Sequence, residues 1–98
     1  MISKTPAKKG ATTKVTFEVP TGTQAESVHL CGDFNEWSKD ANPLVRRKDG
    51  RWSVTMTLPQ GNSYRFRYLV DGQHWVNDDG ADEYVDNEYG SDDSLVRV

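Results

Sequence analysis

Apolar and polar residues alternate through most of this chain, and no stretch shows an apolar period near 3.6 over two turns. Lys14 to Val19 sets Val15, Phe17 and Val19 on one face and Lys14, Thr16 and Glu18 on the other, which predicts a half-buried strand. Pro20 ends it, and Thr21-Gly22-Thr23 is turn material. Glu26 to Cys31 predicts a second strand with Val28 and Leu30 inward, and Leu44 to Arg47 a short third. Asp49-Gly50 signals a hairpin of the type in which both central residues take positive φ. It leads into Arg51 to Leu58, where Trp52, Val54, Met56 and Leu58 share a face and mark Trp52 as core. After a turn at Pro59-Gln60-Gly61-Asn62 comes the longest strand, Ser63 to Val70. Tyr64, Phe66, Tyr68 and Val70 lie on one face, Arg65, Arg67 and Leu69 on the other. Asp71-Gly72 is a tight turn, Gln73 to Val76 a short returning strand, and Ser94 to Val98 a closing strand. About seven short strands with frequent turn signals predict an all-β fold, an antiparallel β-sandwich of immunoglobulin-like type.

Residues 1–13 are rich in Lys, Thr and Ala and read as a flexible basic tail, leaving residues 14–98 as one domain. No run approaches the roughly 18 apolar residues of a membrane helix. The N-terminus has no apolar signal segment, and Cys31 has no second cysteine to pair with. A cytoplasmic protein with no membrane partner is the expectation. The net charge of −3 is unevenly spread: Asp78 to Asp93 holds eight acidic residues and no Lys or Arg. An acidic chain without a basic face predicts no nucleic-acid partner, and the acidic run reads as a solvated loop.

Residue types for catalysis are thinly represented. The two histidines, His29 and His74, lie apart, and there is no Gly-x-Ser-x-Gly elbow. Cys31 follows an apolar strand with no basic cluster, as a buried inert thiol would. The carboxylates of 78–93 have no deep cleft in which to distort a sugar. Placing Gly80 at the sixth position of a calcium loop puts Trp75 at the first ligand position and Asp86 at the twelfth, a poor match. No zinc spacing or phosphate loop occurs. These absences predict a protein that is not an enzyme and has no cofactor or metal.

Two aromatics need another explanation. Val28-His29-Leu30-Cys31-Gly32-Asp33-Phe34-Asn35-Glu36-Trp37-Ser38 runs a strand into a polar turn carrying Trp37. Trp75 sits in a comparable setting after Val70-Asp71-Gly72-Gln73-His74. A pyranose has an apolar C–H face and a rim of hydroxyls. An indole laid against that face, ringed by Arg, Asn, Asp or Gln, would hold it at little entropic cost. Arg67, on the polar face of the long strand, carries a fork of donors suited to hydroxyl pairs.

The Gly-Asp-Phe-Asn-x-Trp-Ser turn, with Tyr64-Arg65-Phe66-Arg67-Tyr68-Leu69-Val70-Asp71-Gly72-Gln73-His74-Trp75, resembles carbohydrate-binding module family 48. That family includes the glycogen-binding domain of the AMP-activated protein kinase β subunit and the early set domains at the N-terminus of isoamylases and branching enzymes. The segment from Trp75 to Gly90 looks most like the isoamylase-type early set proteins. The resemblance spans about residues 14–98. It implies a carbohydrate site of Trp37, Trp75, Arg67, Tyr89, Ser91 and Asp93, with His74 as an extra residue between Gln73 and Trp75. The implied function is a non-catalytic module for α-1,4-glucans such as glycogen or starch. The alternative is a protein-interaction domain docking on a glucan-metabolising enzyme or kinase, with sugar binding lost.

Overall fold

The computed structural model describes residues 1–6, 10–19 and 25–98. Nine strands occur among them: β1 (Ile2–Pro6), β2 (Thr12–Val19), β3 (Val28–Gly32), β4 (Val45–Arg46), β5 (Trp52–Pro59), β6 (Ser63–Val70), β7 (His74–Val76), β8 (Glu83–Asp86) and β9 (Asp92–Arg97). All pairings are antiparallel. One sheet has the order β1-β2-β5-β4; the other runs β3-β6-β9-β8, with β7 added to β6. The two form a β-sandwich, as the alternation predicts.

The core follows the same alternation. Val15, Phe17 and Val19 from β2, Trp52 and Leu58 from β5, Val28 and Leu30 from β3, Phe66 and Tyr68 from β6, and Val96 from β9 are buried together. The Phe17 ring meets Phe66 edge-on at 5.0 Å between centroids, and Phe66 meets Tyr68 at 5.8 Å, favourable arrangements for aromatic pairs. Among the described residues the Trp52 indole N–H is buried without a hydrogen-bond partner.

Three local features depart from the sequence reading. Ile2–Pro6, expected as tail, is an edge strand paired from Ile2–Phe17 to Pro6–Thr13. It carries a single inward apolar side chain, Ile2, too little for an alternation pattern to register, and is held by ladder hydrogen bonds. Lys8 and Lys9 of that expected tail, and the turn expected at Pro20–Thr23, lie outside the described residues.

At Asp49-Gly50 only Gly50 has positive φ, 90°. Gly50 N–H donates to Arg47 C=O and Arg47 N–H to Arg51 C=O. This is a three-residue hairpin with its glycine at the bulge position, in place of the two-residue form. Asp71 and Gly72, by contrast, both have positive φ, 54° and 68°.

The acidic run is the third departure. It contains β8, and two of its carboxylates are buried. Asp78 receives the Tyr68 hydroxyl at 2.6 Å, the Gly80 N–H at 2.7 Å and the Met1 ammonium at 2.7 Å. Asp93 lies under the arginines of the outer face. No helix among the described residues is long and apolar enough to cross a membrane.

Candidate functional site

The site is built on the outer face of the second sheet. Leaving β3, the chain passes Gly32 and makes one 3-10 turn, Asp33–Asn35. Gly32 is needed for space. A Cβ there would stand 2.5 Å from Arg65 O and 2.9 Å from Phe66 Cβ. Phe34 turns inward against Phe17 and Tyr64, at 5.7 and 5.8 Å between centroids, the inward plug that the turn needs.

Asn35 ties the turn shut. Its Oδ1 accepts the Gly32 N–H at 3.0 Å, and its Nδ2 donates to Leu30 O and to Asn42 Oδ1, each at 2.8 Å. Glu36 and Trp37 then both take left-handed backbone, φ 57°. Two bonds hold the Trp37 indole in that conformation. Its backbone N–H donates to Gly32 O at 2.8 Å, and its Nε1 donates to Asp33 Oδ1 at 2.9 Å. The second oxygen of Asp33 accepts the Arg65 N–H at 2.9 Å, which moors the turn to β6.

His74 decides where the second ring goes. It pairs with Val70, so Trp75 falls opposite Leu69. Directly paired residues share a face and a one-residue slip reverses it, so this register puts Trp75 on the face of Arg65 and Arg67. The two indoles meet with centroids 6.3 Å apart and planes inclined by 60°. Trp75 is 40% exposed.

A groove of about 830 Å³ opens beside them, lined by Trp37, Arg65, Arg67, Trp75, Asp86, Asn87, Glu88, Tyr89 and Asp93. Tyr89 is 85% exposed and stands on a loop that Asn87 organises. Asn87 Oδ1 accepts the N–H groups of Tyr89 and Ser91, and its Nδ2 donates to Ser91 Oγ and Asp93 Oδ1.

Arg67 is already well bonded: Nε donates to Asp92 O at 3.0 Å, Nη2 to Ser91 Oγ at 3.1 Å, and Asp93 Oδ1 is 3.4 Å away. Its side chain is 18% exposed, against 43% for Arg65. Arg65 Nη1 donates to Asp86 O at 3.2 Å and stands 3.6 Å from Asp93 Oδ2.

The structure therefore brings together Trp37, Trp75, Arg67, Tyr89 and Asp93 of the sequence-derived set. Ser91 is near but braces Arg67 and Asn87 instead of lining the groove. Asp93 forms the buried floor, with both oxygens facing guanidinium groups. Sequence reasoning missed Arg65, Asp86, Asn87 and Glu88. Arg65 had a signal, since it shares the polar face of β6 with Arg67; the other three come from a segment read as solvated loop. Cys31, opposite Arg67 in the register, is fully buried, and burial pushes its thiol pKa up. That is the inert thiol the sequence suggests.

Comparison with known proteins bears on what this groove does. A family model for the glycogen recognition site of AMP-activated protein kinase matches residues 10–98. A 1,4-alpha-glucan branching enzyme GlgB of Aquifex aeolicus is 34% identical over 67 residues, covering 65% of this chain and 10% of that protein. A 1,4-alpha-glucan-branching enzyme of Dictyostelium discoideum is 53% identical over 30 residues, 31% of this chain and 4% of that protein. An amylopullulanase of Thermoanaerobacter thermohydrosulfuricus is 32% identical over 59 residues, 56% of this chain and 4% of that protein. The chain thus spans a tenth or less of the curated relatives it matches. The match over nearly the full chain shows that it belongs to the carbohydrate-recognition family described as the glycogen recognition site of AMP-activated protein kinase.

Proposed function

We propose that this domain is a non-catalytic module that binds α-1,4-glucan chains, with Trp37 and Trp75 as stacking platforms. The observation that carries this reading is the pair of partly exposed indoles, 6.3 Å apart and inclined by 60°, beside a groove with two guanidinium groups. A flat pair of rings would suit a flat ligand. An inclined pair suits a chain whose successive pyranose faces turn, as an α-1,4-glucan does. Tyr89, on the loop held by Asn87, adds a third, exposed aromatic platform to the groove. Arg65 presents donors to hydroxyls, while Arg67, held by Asp92 O, Ser91 and Asp93, is a braced partner with a smaller free surface. Asp93 acts through the two arginines more than through direct contact with sugar.

Membership of a recognition family supports a binding role, and on this reading any hydrolase or transferase activity belongs to a larger enzyme of the kind the relatives' names describe. Docking on such a glucan-active enzyme is a partner role compatible with glucan binding.

Intrinsic Trp fluorescence during titration with β-cyclodextrin or maltoheptaose tests the proposal. A saturable shift is expected. Trp37→Ala and Trp75→Ala should each weaken binding by more than about tenfold, the loss expected on truncating an aromatic hot spot, while far-UV circular dichroism stays unchanged. Unaltered retardation of both variants on glycogen-containing native gels would refute it.

A further inference from the structure

We propose that Asn87 is a positioning residue of the groove: it holds Tyr89 in place by tethering that loop to the buried Asp93. This deepens the glucan reading and rests on it, because the place of Tyr89 matters to binding only if the groove takes a sugar chain.

Tyr89 cannot hold itself. Its ring is 85% exposed, so packing does little to fix it. A platform that must be ordered at the moment of binding gives up affinity. What orders this one is backbone. Residues 87–91 form a hairpin loop closed by the Asn87 N–H on Ser91 O at 2.8 Å, with Gly90 at φ 79°. The Asn87 carbonyl accepts the Gly90 N–H at 3.3 Å, and the side chain serves the rest of the loop. Its Oδ1 accepts the Tyr89 N–H at 2.9 Å and the Ser91 N–H at 3.2 Å. Its Nδ2 donates to Ser91 Oγ at 3.0 Å and to Asp93 Oδ1 at 3.2 Å.

A side-chain amide has two N–H hydrogens and two oxygen lone pairs. All four are engaged within the protein, so Asn87 has none left for a sugar hydroxyl although it lines the groove. It acts through its neighbours. Asp93 is the fixed end of the tether: it is 7% exposed, with Arg67 Nε at 3.4 Å and Arg65 Nη1 at 3.6 Å. Asn87 thus joins the polar floor of the groove to its most exposed ring.

Trp fluorescence titration with maltoheptaose tests this in a cycle of variants. Asn87→Ala should weaken binding roughly fivefold, the scale of ordering one side chain at a binding site, and Tyr89→Ala at least as much. The double variant should bind within about twofold of Tyr89→Ala alone, because a tether contributes nothing once the ring it holds is gone. Asn87→Asp separates the tether from the turn. Its oxygens still accept both N–H groups, since Asp forms such turns as Asn does, but a carboxylate cannot donate to Asp93. It should also lose roughly fivefold in affinity, with far-UV circular dichroism unchanged.

A full effect of Asn87→Ala in the Tyr89→Ala background overturns the proposal, because the loss is then one of general stability or of direct contact. Unchanged affinity in any single variant overturns it too; for Asn87→Asp it would mean that the turn suffices without the floor. If Asn87→Ala does not fold, Asn87→Asp and hydrogen exchange on the unaltered protein decide. Without sugar, the Tyr89 and Ser91 N–H groups should exchange at least about tenfold more slowly than in an unstructured chain, and exchange at the unstructured rate overturns the tether. Absence of any saturable response of the unaltered protein to maltoheptaose instead refutes the glucan site itself, a failure that the exchange rates do not share.

Discussion

Trp37 shows how much a single functional side chain demands of its neighbours. Two consecutive residues, Glu36 and Trp37, sit at φ 57°, a region that costs a non-glycine residue roughly 1–2 kcal/mol. Asn35 and the Gly32 carbonyl offset that cost by closing the turn, and Asp33 aims the ring by bonding Nε1 and the Arg65 N–H with its two oxygens. Asp33→Ala should therefore leave the indole free to rotate. We expect glucan affinity to fall roughly tenfold, about 1.4 kcal/mol, with a change in the near-ultraviolet circular dichroism of the coupled indoles. An unchanged dichroism signal would show that Asp33 does not hold the ring. Gly32→Ala tests the crowding beneath it. Its added methyl meets backbone and Cβ atoms, which cannot swing aside, so a loss of about 1–3 kcal/mol in urea unfolding is expected. The turn residues were legible in the sequence because a Trp has no role in the geometry of a polar turn. Arg65 was passed over for Arg67, since alternation assigns both to one face and says nothing about which guanidinium is already bonded.

At the scale of elements, β6 is the organising strand. It pairs with β3, β7 and β9, and its polar face supplies both arginines. Its alternation was unmistakable because eight residues keep one period. The β8 strand escaped notice because Glu83-Tyr84-Val85-Asp86 offers only two apolar residues, on opposite faces, inside an acidic run. Its pairing carries a defect, Asp86 opposite Asp92, and like charges directly across a ladder destabilise it. The hydrogen bond between their side chains, with some burial and their like charge, pushes the Asp92 carboxyl above its usual range, which fixes the sign of the pH dependence. A folded-state pKa above the unfolded value favours folding below the unfolded value of about 3.9, and that contribution is lost as pH rises through the folded value. Asp92→Asn should raise the melting temperature at neutral pH and have less effect near pH 3 (roughly one unit below the usual Asp value). Equal effects at both pH values would exclude the repulsion.

Across the whole molecule, carboxylates tie separate elements together. Asp71 accepts the N–H groups of Glu26 and Ser27, at 2.7 and 3.1 Å, and these bonds hold its pKa below the usual carboxylate range. Asp82 is drawn the other way by burial, but the Arg97 N–H and Lys4 outweigh this and lower its pKa. A depressed folded-state pKa gives stability that is present above the unfolded value and lost as pH falls through the folded value. Stability should therefore decline as pH drops below about 4, near the unfolded carboxylate value, and Asp71→Asn should flatten that limb of a melting-temperature profile.

Asp78 is the deepest tie, its side chain fully inaccessible. It bonds Tyr68 of β6, whose hydroxyl pKa is driven up first by burial and then by the Asp78 charge. Asp78→Ala strands a buried hydroxyl and should cost at least about 1–3 kcal/mol in urea unfolding. An unshifted midpoint would show that this tie contributes nothing.

The sandwich and its core list are properties of local pattern that period-two alternation is enough to reveal, and the two tryptophans stand out from their polar-turn settings. The groove is not a local property. Residues 37, 65, 75, 87 and 93 meet only because β3, β6, β7 and β9 share one sheet in one register. His74 matters through that register, which puts Trp75 on the arginine face. Burial of Asp78 and Asp93 likewise depends on partners 10 or more residues away, Tyr68 for one and the two arginines for the other. A chain read one residue at a time gives both acids the same charge and the same exposure as their solvated neighbours. Only packing, by removing water and supplying specific donors, makes them different.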